Sequence, residues 1–521
     1  MINMKIARFA LQREFCYQGW SHVNREELTL AEWHGLSKSS FLRGVQCLKS
    51  LALDAFHPEL RDPLPASGQF RMRLGTEVGI EARKRYPGGK VGRVPDSYEI
   101  SLERTRDLIA GGAQVIYEAA FEAAGVRVVV DVLARGERGW QLIEVKSTTG
   151  AKPEHTWDVA VQAYVLRQAG LELEETALLH LDRSYVRQGA LEYQALFSET
   201  SLLKEVDDLQ REVEGWIASC QATLAAGAVP EVPIGPQCHD PVDCDFIGHC
   251  WKDVPTPSVF DVSYIGKRAY ELYDRGIVRI EDIPADQPLD KRSAFHVEAH
   301  KIGAKIVKPD ELREFLLGLQ YPLYFLDFET FALPIPPYDG LSPYSNIPFQ
   351  YSLHVQSEPG RPLSHHGYLA GAGADPRRDF LEKLLEETQG EGSIVVYHAP
   401  FERGVLTALA EAFPDRADAI QRRVERLVDL LDPFRKRLYW DPNMGGSNSL
   451  KQVLPVFAPE LSYQDLEVEN GEQAMETFLR LAEEGDPDRV EALRKALWEY
   501  CKLDTLAMVR ILDGLRAAVG M

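Results

Sequence analysis

Val128–Ser147, VVVDVLARGERGWQLIEVKS, decides the fold of the front half of the chain. The spacing predicts two strands, 127–133 and 141–145, with Gly136 and Gly139 bracketing a tight charged turn, as hairpin chemistry prefers. Asp131 interrupts the valines of the first strand, and the second ends Glu144-Val145-Lys146. Side chains at i and i+2 share a face of a strand, so Glu144 and Lys146 point the same way. A neighbouring strand lies about 4.8 Å away, which lets Asp131 join them. Two carboxylates and one ammonium on one face suit a divalent cation and a phosphodiester. Asp131 and Glu144 are expected to hold Mg²⁺ or Mn²⁺, and Lys146 to position water or stabilise developing charge. A surface hairpin carrying Glu-x-Lys as an ion pair is the structural alternative.

Outward from the hairpin the pattern stays globular. The chain has 521 residues, 45% hydrophobic and 26% charged, so two or three domains are expected. No apolar run approaches the ~20 residues of a membrane span, and the N-terminus lacks a signal peptide's apolar core, so a cytoplasmic setting is expected. The net charge of −21 argues against a generic basic nucleic-acid coat. Residues 1–35 show no clear period. From Leu36 the pattern predicts a helix capped by Ser37 or Ser39, with Cys47 inside it. A helix over 71–85 carries Glu77 and Glu81, with Arg73 and Arg85 as surface partners. A further helix is predicted over 101–111. A strand over 114–122 offers Glu118 as an extra carboxylate. Past the hairpin come a helix over 156–169 with Gln162 and Tyr164, a strand over 176–182 and a long helix over 201–225.

Cysteines 238, 244 and 250 follow, each six apart. In a reducing compartment such clustering favours metal over disulfide. With Cys47 they make four thiolates, enough for zinc or a 4Fe–4S cluster. Such a clasp would join the two ends of the front half, by loop-closure logic worth on the order of 5 kcal/mol.

The early Cys, the D…EVK hairpin, the Gln-bearing helix and the late Cys triplet, in that order, resemble the RecB-like PD-(D/E)XK exonucleases with an iron–sulfur clasp, of CRISPR-associated and AddB type. The resemblance covers residues 36–252. It implies metal ligands at Asp131 and Glu144, a catalytic Lys146, a supporting Gln162 with Tyr164 in place of a more distant Tyr, and 4Fe–4S ligands at Cys47, Cys238, Cys244 and Cys250. Where those enzymes place a His on an early helix after a Gly, this chain reads Gly75-Thr76-Glu77-Val78-Gly79, and Glu77 is the candidate substitute.

Residues 253–308 read as a linker followed by a helical module, either a spacer or a small grip on a nucleic-acid backbone. Behind it, 323–330 is a strand ending Asp327-Phe328-Glu329. Strands over 349–356 and 364–369, a helix over 378–388, a strand over 393–398, a helix over 401–412, a short segment with Asp429 and a last helix over 491–515 follow. Tyr500 and Asp504, at i and i+4, share a face of that helix. This order resembles an RNase H-like DEDD exonuclease of the Tyr-x₃-Asp subtype. The resemblance implies metal ligands Asp327, Glu329, Glu402 and Asp504, with Asp429 in reserve, and a water-orienting Tyr500. Asn and Asp are usual where His398 and Glu402 stand. Gly445–Leu454 resembles the Ser-Leu-Lys helix start that touches substrate in such enzymes. The whole chain also resembles a bacterial family that joins these two modules.

The expected fold is therefore α/β: an N-terminal restriction-endonuclease-like domain (36–252), a helical linker (253–308) and an RNase H-like domain (309–521). The expected function is a two-centre nuclease acting on DNA strands or ends, in repair or defence. The alternatives are an RNA exonuclease working through the C-terminal half, or a degenerate nucleic-acid-binding scaffold.

Overall fold

The computed structural model describes residues 35–63, 66–371 and 373–521, so the N-terminal extension lies outside the described residues apart from Gly35. It is a mixed α/β structure with two main sheets. Among the described residues no helix is long and apolar enough to cross a membrane.

The front sheet has seven strands: β1 (Leu36–Ser37), β2 (Lys90–Val91), β3 (Val115–Ala123), β4 (Val126–Arg135), β5 (Trp140–Lys146), β6 (Leu173–Leu181) and β7 (Phe197–Ser201). Its order is β2-β3-β4-β5-β6-β7, with β1 added in parallel to β4 at Leu36 and Val126. β3, β4 and β5 form an antiparallel meander, and β6 joins β5 in parallel. That parallel step needs a crossover, which the helix between β5 and β6 supplies. The longer helices that dress the sheet among the described residues are α1 (Lys38–Gln46), α2 (Leu48–Phe56), α3 (Ala66–Ala82), α4 (Tyr98–Ala110), α5 (Pro153–Gln168) and α6 (Leu203–Ala225). α1, α2, α5 and α6 pack together over one face, burying Phe41, Leu51, Val161, Val206 and Val213 against Val128, Val130 and Leu142. α3 brings Val78 and Ala82 to the other face, beside Val132 and Ile143.

The single helix expected from Leu36 is two. Ser37 caps α1 by accepting the Ser40 N–H, and the chain then breaks at Cys47, whose φ of −163° and ψ of 115° are those of a strand. Close packing has its own signature here. A Cβ on Gly44 would meet Cys220 Sγ of α6 at 2.3 Å, so α1 lies against α6 only because that position has no side chain.

The segment after 252 is more than a spacer. α7 (Arg268–Asp274) and α8 (Lys291–Ile302) enclose a small core of Val259, Val262, Leu272, Ile280 and Val297. This module is docked on the back half. Ser263 Oγ donates to the Gly446 carbonyl, and Arg437 donates to that of Lys291. Gly446 has φ of +77°, and a Cβ there would strike the His296 ring. β8 (Ile306–Val307) then pairs with β14 (Tyr439–Trp440).

The back sheet comprises β9 (Leu323–Phe331), β10 (Ile347–Gln356), β11 (Ser364–Leu369), β12 (Ile394–Val396) and β13 (Leu427–Asp429), in the order β11-β10-β9-β12-β13. The first three are antiparallel, and β12 and β13 are parallel to β9. Preceding it is α9 (Pro309–Leu317). The later helices are α10 (Arg377–Glu387), α11 (Ala399–Ala412), α12 (Ala417–Val424), α13 (Leu450–Phe457), α14 (Gly471–Arg480) and the long α15 (Pro487–Ala518). Alternation along β9 sends Tyr324, Leu326 and Phe328 into a core with α10 and α11. It sends Phe325 toward α15, along with Met508 and Leu512. Asp327 and Glu329 have the same parity as Phe325 and so face α15.

Candidate functional site

At the front, the sheet opens where the chemistry lies. β4 and β5 pair from Arg135 and Trp140 up to Val132 and Ile143. Beyond that, Asp131 spends its side chain on β5: Asp131 Oδ2 accepts the Val145 N–H at 2.8 Å. On its other flank Glu118 adopts φ of 51°, and the ladder to β4 skips the Glu118–Asp131 pair while keeping its register on either side. Asp131 and Glu144 are thus left facing one another at the edge of a splayed ladder.

Glu144 is 2% exposed, and both of its oxygens are engaged. Lys146 Nζ reaches Oε1 at 2.7 Å, Lys38 Nζ reaches the same oxygen at 2.9 Å, and Gln162 Nε2 donates to Oε2 at 2.8 Å. Asp158 completes the cluster. Its Oδ1 takes Lys38 at 2.8 Å and Gln162 at 3.0 Å, and its Oδ2 takes Lys146. Burial and the facing Glu144 push Asp131 up to about 7. Burial alone would raise Glu144 too, but Lys38 and Lys146 hold it well below the usual carboxylate range. Both lysines lose to burial and gain more from Glu144 and Asp158, so both stay firmly protonated.

All four front residues expected from the sequence meet here: Asp131, Glu144, Lys146 and Gln162. Lys38 and Asp158 were not foreseen. Asp158 had a legible signal, since it sits four residues before Gln162 on one helix face. Lys38 had none, being the first residue of a helix 106 positions from Glu144. Three expectations change. Tyr164, two residues after Gln162, points to the other side of α5 toward α6, where burial and Glu214 raise its hydroxyl. Glu118 pairs with Arg83 at 3.0 Å. Glu81 pairs with Lys84 at 2.7 Å rather than with Arg73 or Arg85. α3, which carries Glu77, lies against β5.

The four expected thiols also gather. Gln46 Nε2 donates to the carbonyls of Gln237 and Val242, at 2.8 and 2.7 Å. Cys244 Sγ lies 3.4 Å from Ser50 Oγ. The break at Cys47 therefore turns its thiol toward the late triplet. Burial raises the Cys47 thiol against the backbone hydrogen bonds of Ser50 and Lys49, and burial raises Cys250 against the Lys49 charge; the other thiols of the set add to each, Cys244 and Cys238 to both and Cys47 to Cys250. All four are free thiols. Tetrahedral zinc with ~2.3 Å bonds would draw sulfurs to about 3.8 Å of one another. Among the described residues no three of these thiols converge within 4.8 Å.

In the back half, one ligand atom each from Asp327, Glu329 and Cys501 lie within 4.8 Å of one another. Asp504 and Tyr500 arrive from α15, 5% exposed each, and Glu402 arrives from the first turn of α11, 2% exposed. Burial and the neighbouring Asp504 push Asp327 and Glu329 well above the usual range, with Glu329 and Glu402 adding to Asp327. Burial lifts Asp504 to about 6, tempered by the Tyr463 hydroxyl, which donates to its Oδ1 at 2.6 Å, and by Lys451. Burial lifts Glu402 to about 8, and its Oε2 is buried without a partner. Asp429 is committed elsewhere: Oδ1 accepts the N–H groups of His398 and Leu431 at 2.9 and 3.0 Å. Tyr463 was missed, because nothing in the sequence ties 463 to 504. Lys451, from the Ser-Leu-Lys helix start, lies over both tyrosine rings, 4.9 Å from Tyr463 and 5.3 Å from Tyr500.

The donor sets can be weighed chemically. At the back, the buried carboxylates of Glu329, Glu402 and Asp504 and the half-buried Asp327 crowd together and leave Glu402 Oε2 unpartnered, which suits hard divalent cations such as Mg²⁺ or Mn²⁺. The front pair suits one such ion, with lysines now on its oxygens.

The family described as Domain of unknown function (DUF2779) matches residues 324–449, the stretch from β9 to just before α13. No curated protein matches significantly. Among solved structures, the crystal structure of SSO0001 is similar to 48% of this chain and 96% of its own, at 14% identity and a TM-score of 0.23.

Proposed function

We propose that the chain is a metal-dependent nuclease with two hydrolytic centres, acting on DNA strands or ends. The carrying observation is that two distant sets of residues each assemble on the elements where phosphodiester chemistry would need them. Asp131, Glu144, Lys146 and Gln162 meet at the splayed end of β4 and β5. Asp327, Glu329, Asp504 and Tyr500 meet between β9 and α15. The strand meander with its crossover helix supports a PD-(D/E)XK reading of the front. The order β11-β10-β9-β12-β13 supports an RNase H-like reading of the back. The four free thiols of Cys47, Cys238, Cys244 and Cys250, with Cys47 and Cys250 raised in part by their neighbours in the set, support a thiolate-held clasp between Cys47 and the triplet, read here as iron–sulfur.

At the front, Asp131 and Glu144 would hold the divalent ion, and at the back Asp327, Glu329, Glu402 and Asp504 would do so. The bound ions would supply a metal-activated water and neutralise the charge on the phosphoryl oxygens. Gln162 fixes Glu144 through one oxygen, leaving the other to the cation side. Lys146 presents its ammonium where charge develops. Tyr500, against Asp504, orients the attacking water, and Lys451 offers its charge to a strand phosphate.

The test is degradation of end-labelled single-stranded DNA and RNA by anaerobically purified protein with Mn²⁺ or Mg²⁺. Lys146→Ala and Asp504→Ala are each expected to remove one activity by on the order of 10²–10³-fold. Loss only with Asp504→Ala assigns the chemistry to the back half. Cleavage of RNA alone changes the substrate. No cleavage under either metal sinks the nuclease reading in favour of a binding scaffold.

A further inference from the structure

Lys38 stands out because nothing in the hairpin motif requires it. Its Nζ lies 2.9 Å from Glu144 Oε1 and 2.8 Å from Asp158 Oδ1. Lys146 already sits on that same Glu144 oxygen, at 2.7 Å. Two ammoniums on one carboxylate oxygen is an arrangement that repels itself unless further carboxylates hold it. Here Asp158 does so from one side and Asp131 lies close by. With Gln162 on Oε2, Glu144 has no oxygen left for another cation. Lys146 belongs to the strand that carries Glu144. Lys38 reaches in from the first position of α1, and its side chain is 23% exposed, so it has a way out.

We propose that Lys38 is a positioning residue of the front centre: its ammonium is the resident cation between Glu144 and Asp158, and it withdraws toward solvent, keeping Asp158, when a divalent ion held by Asp131 takes the Glu144 oxygen. Lysine and metal exclude one another. The lysine keeps the carboxylates aimed while the site waits, and it lowers the affinity for the ion that follows. This rests on the reading of Asp131 and Glu144 as metal ligands. A purely structural lysine would behave in the opposite way, since its loss would disorder the site and weaken metal binding.

The experiment measures free Mn²⁺ by electron paramagnetic resonance during titration of the full chain. Asp327→Asn and Asp504→Asn are present throughout to silence the back centre. Lys38→Met is expected to bind Mn²⁺ about tenfold more tightly than the parent, because a charge within ~5 Å of the ion has been removed. Lys38→Arg, which keeps the charge, is expected to return the affinity toward that of the parent. Thermal unfolding reports folding independently: Lys38→Met should be destabilised without metal and regain most of the loss with it. Unchanged or weaker Mn²⁺ binding in Lys38→Met overturns the proposal. Absence of Mn²⁺ binding in the parent, with Glu144→Gln indistinguishable from it, overturns instead the metal-site reading on which the proposal rests.

Discussion

Beside the back centre, β10 and β11 hold two histidines, each against a hydroxyl. His354 is 5% exposed, with Nδ1 2.7 Å from Thr505 Oγ1. His365 Nε2 lies 2.9 Å from Ser352 Oγ, and the two rings are 4.5 Å apart. Burial, then His365 and Lys502, depress His354 to about 3; burial, then Lys502 and His366, depress His365 to about 4. The fold thus favours neutral imidazole. The unfolded chain takes up protons below about 6.5, so this contribution is complete above that pH and is lost as pH falls toward 4. At about 1.4 kcal/mol per pH unit, His354 alone should cost 2–3 kcal/mol by pH 4.5. The urea midpoint of the parent is expected to fall steadily from pH 6.5 to 4.5. His354→Asn should flatten that slope whatever its absolute stability. Equal slopes in the two proteins would rule the account out.

Among the elements, α1 does the most with the least length. Its nine residues begin with Lys38 in the front centre and stop at Cys47 beside the cysteine triplet. The proposed clasp therefore acts on the same short rod that carries the inner lysine. Cys47→Ser is expected to lower bound iron and labile sulfide by at least half. It should also lower the melting temperature of the front half, by several degrees for a loss of about 2 kcal/mol. Full iron content in Cys47→Ser would exclude Cys47 from the ligand set. α1 also shows where sequence reading succeeds and where it stops. The Ser37 cap and the apolar faces were legible because they are local and periodic. The break at Cys47 was not, because the residue types around it are helix-compatible and the reason for the break lies some two hundred residues away. The same division holds at the sites. Asp131, Glu144, Lys146, Tyr500 and Asp504 declared themselves by spacing along single elements. Lys38 and Tyr463 entered by tertiary packing, which leaves no period. Edge strand β7 was missed because its sequence, Phe-Ser-Glu-Thr-Ser, has one buried side to alternate around and little else.

At the scale of the whole molecule, the loop between β9 and β10 links the two centres. It leaves β9 two residues beyond Glu329 and crosses to the front half. There the Tyr344 hydroxyl donates to the Ser147 carbonyl, one residue past Lys146. α14 makes a second bridge. It starts at Gly471 beside Glu329, Glu472 pairs with Arg71 of α3 at 3.4 Å, and α3 lies on β5. Arg187 clamps the crossing. Its Nη1 donates to the carbonyls of Pro336 and Pro337 at 2.9 and 2.7 Å, and its backbone exchanges hydrogen bonds with Leu341 and Gly340. A guanidinium donating to two backbone carbonyls at an interface is worth on the order of 2 kcal/mol, less whatever its 26% exposure lets water recover. Removing it leaves the backbone pair and the Tyr344 bond, so the halves should stay attached but melt more independently. Calorimetry of Arg187→Ala is expected to split or broaden the transition, with the core of each half intact by circular dichroism below it. A single transition, unchanged in width and midpoint, would mean that Arg187 only decorates an interface held elsewhere, by α3 and α14.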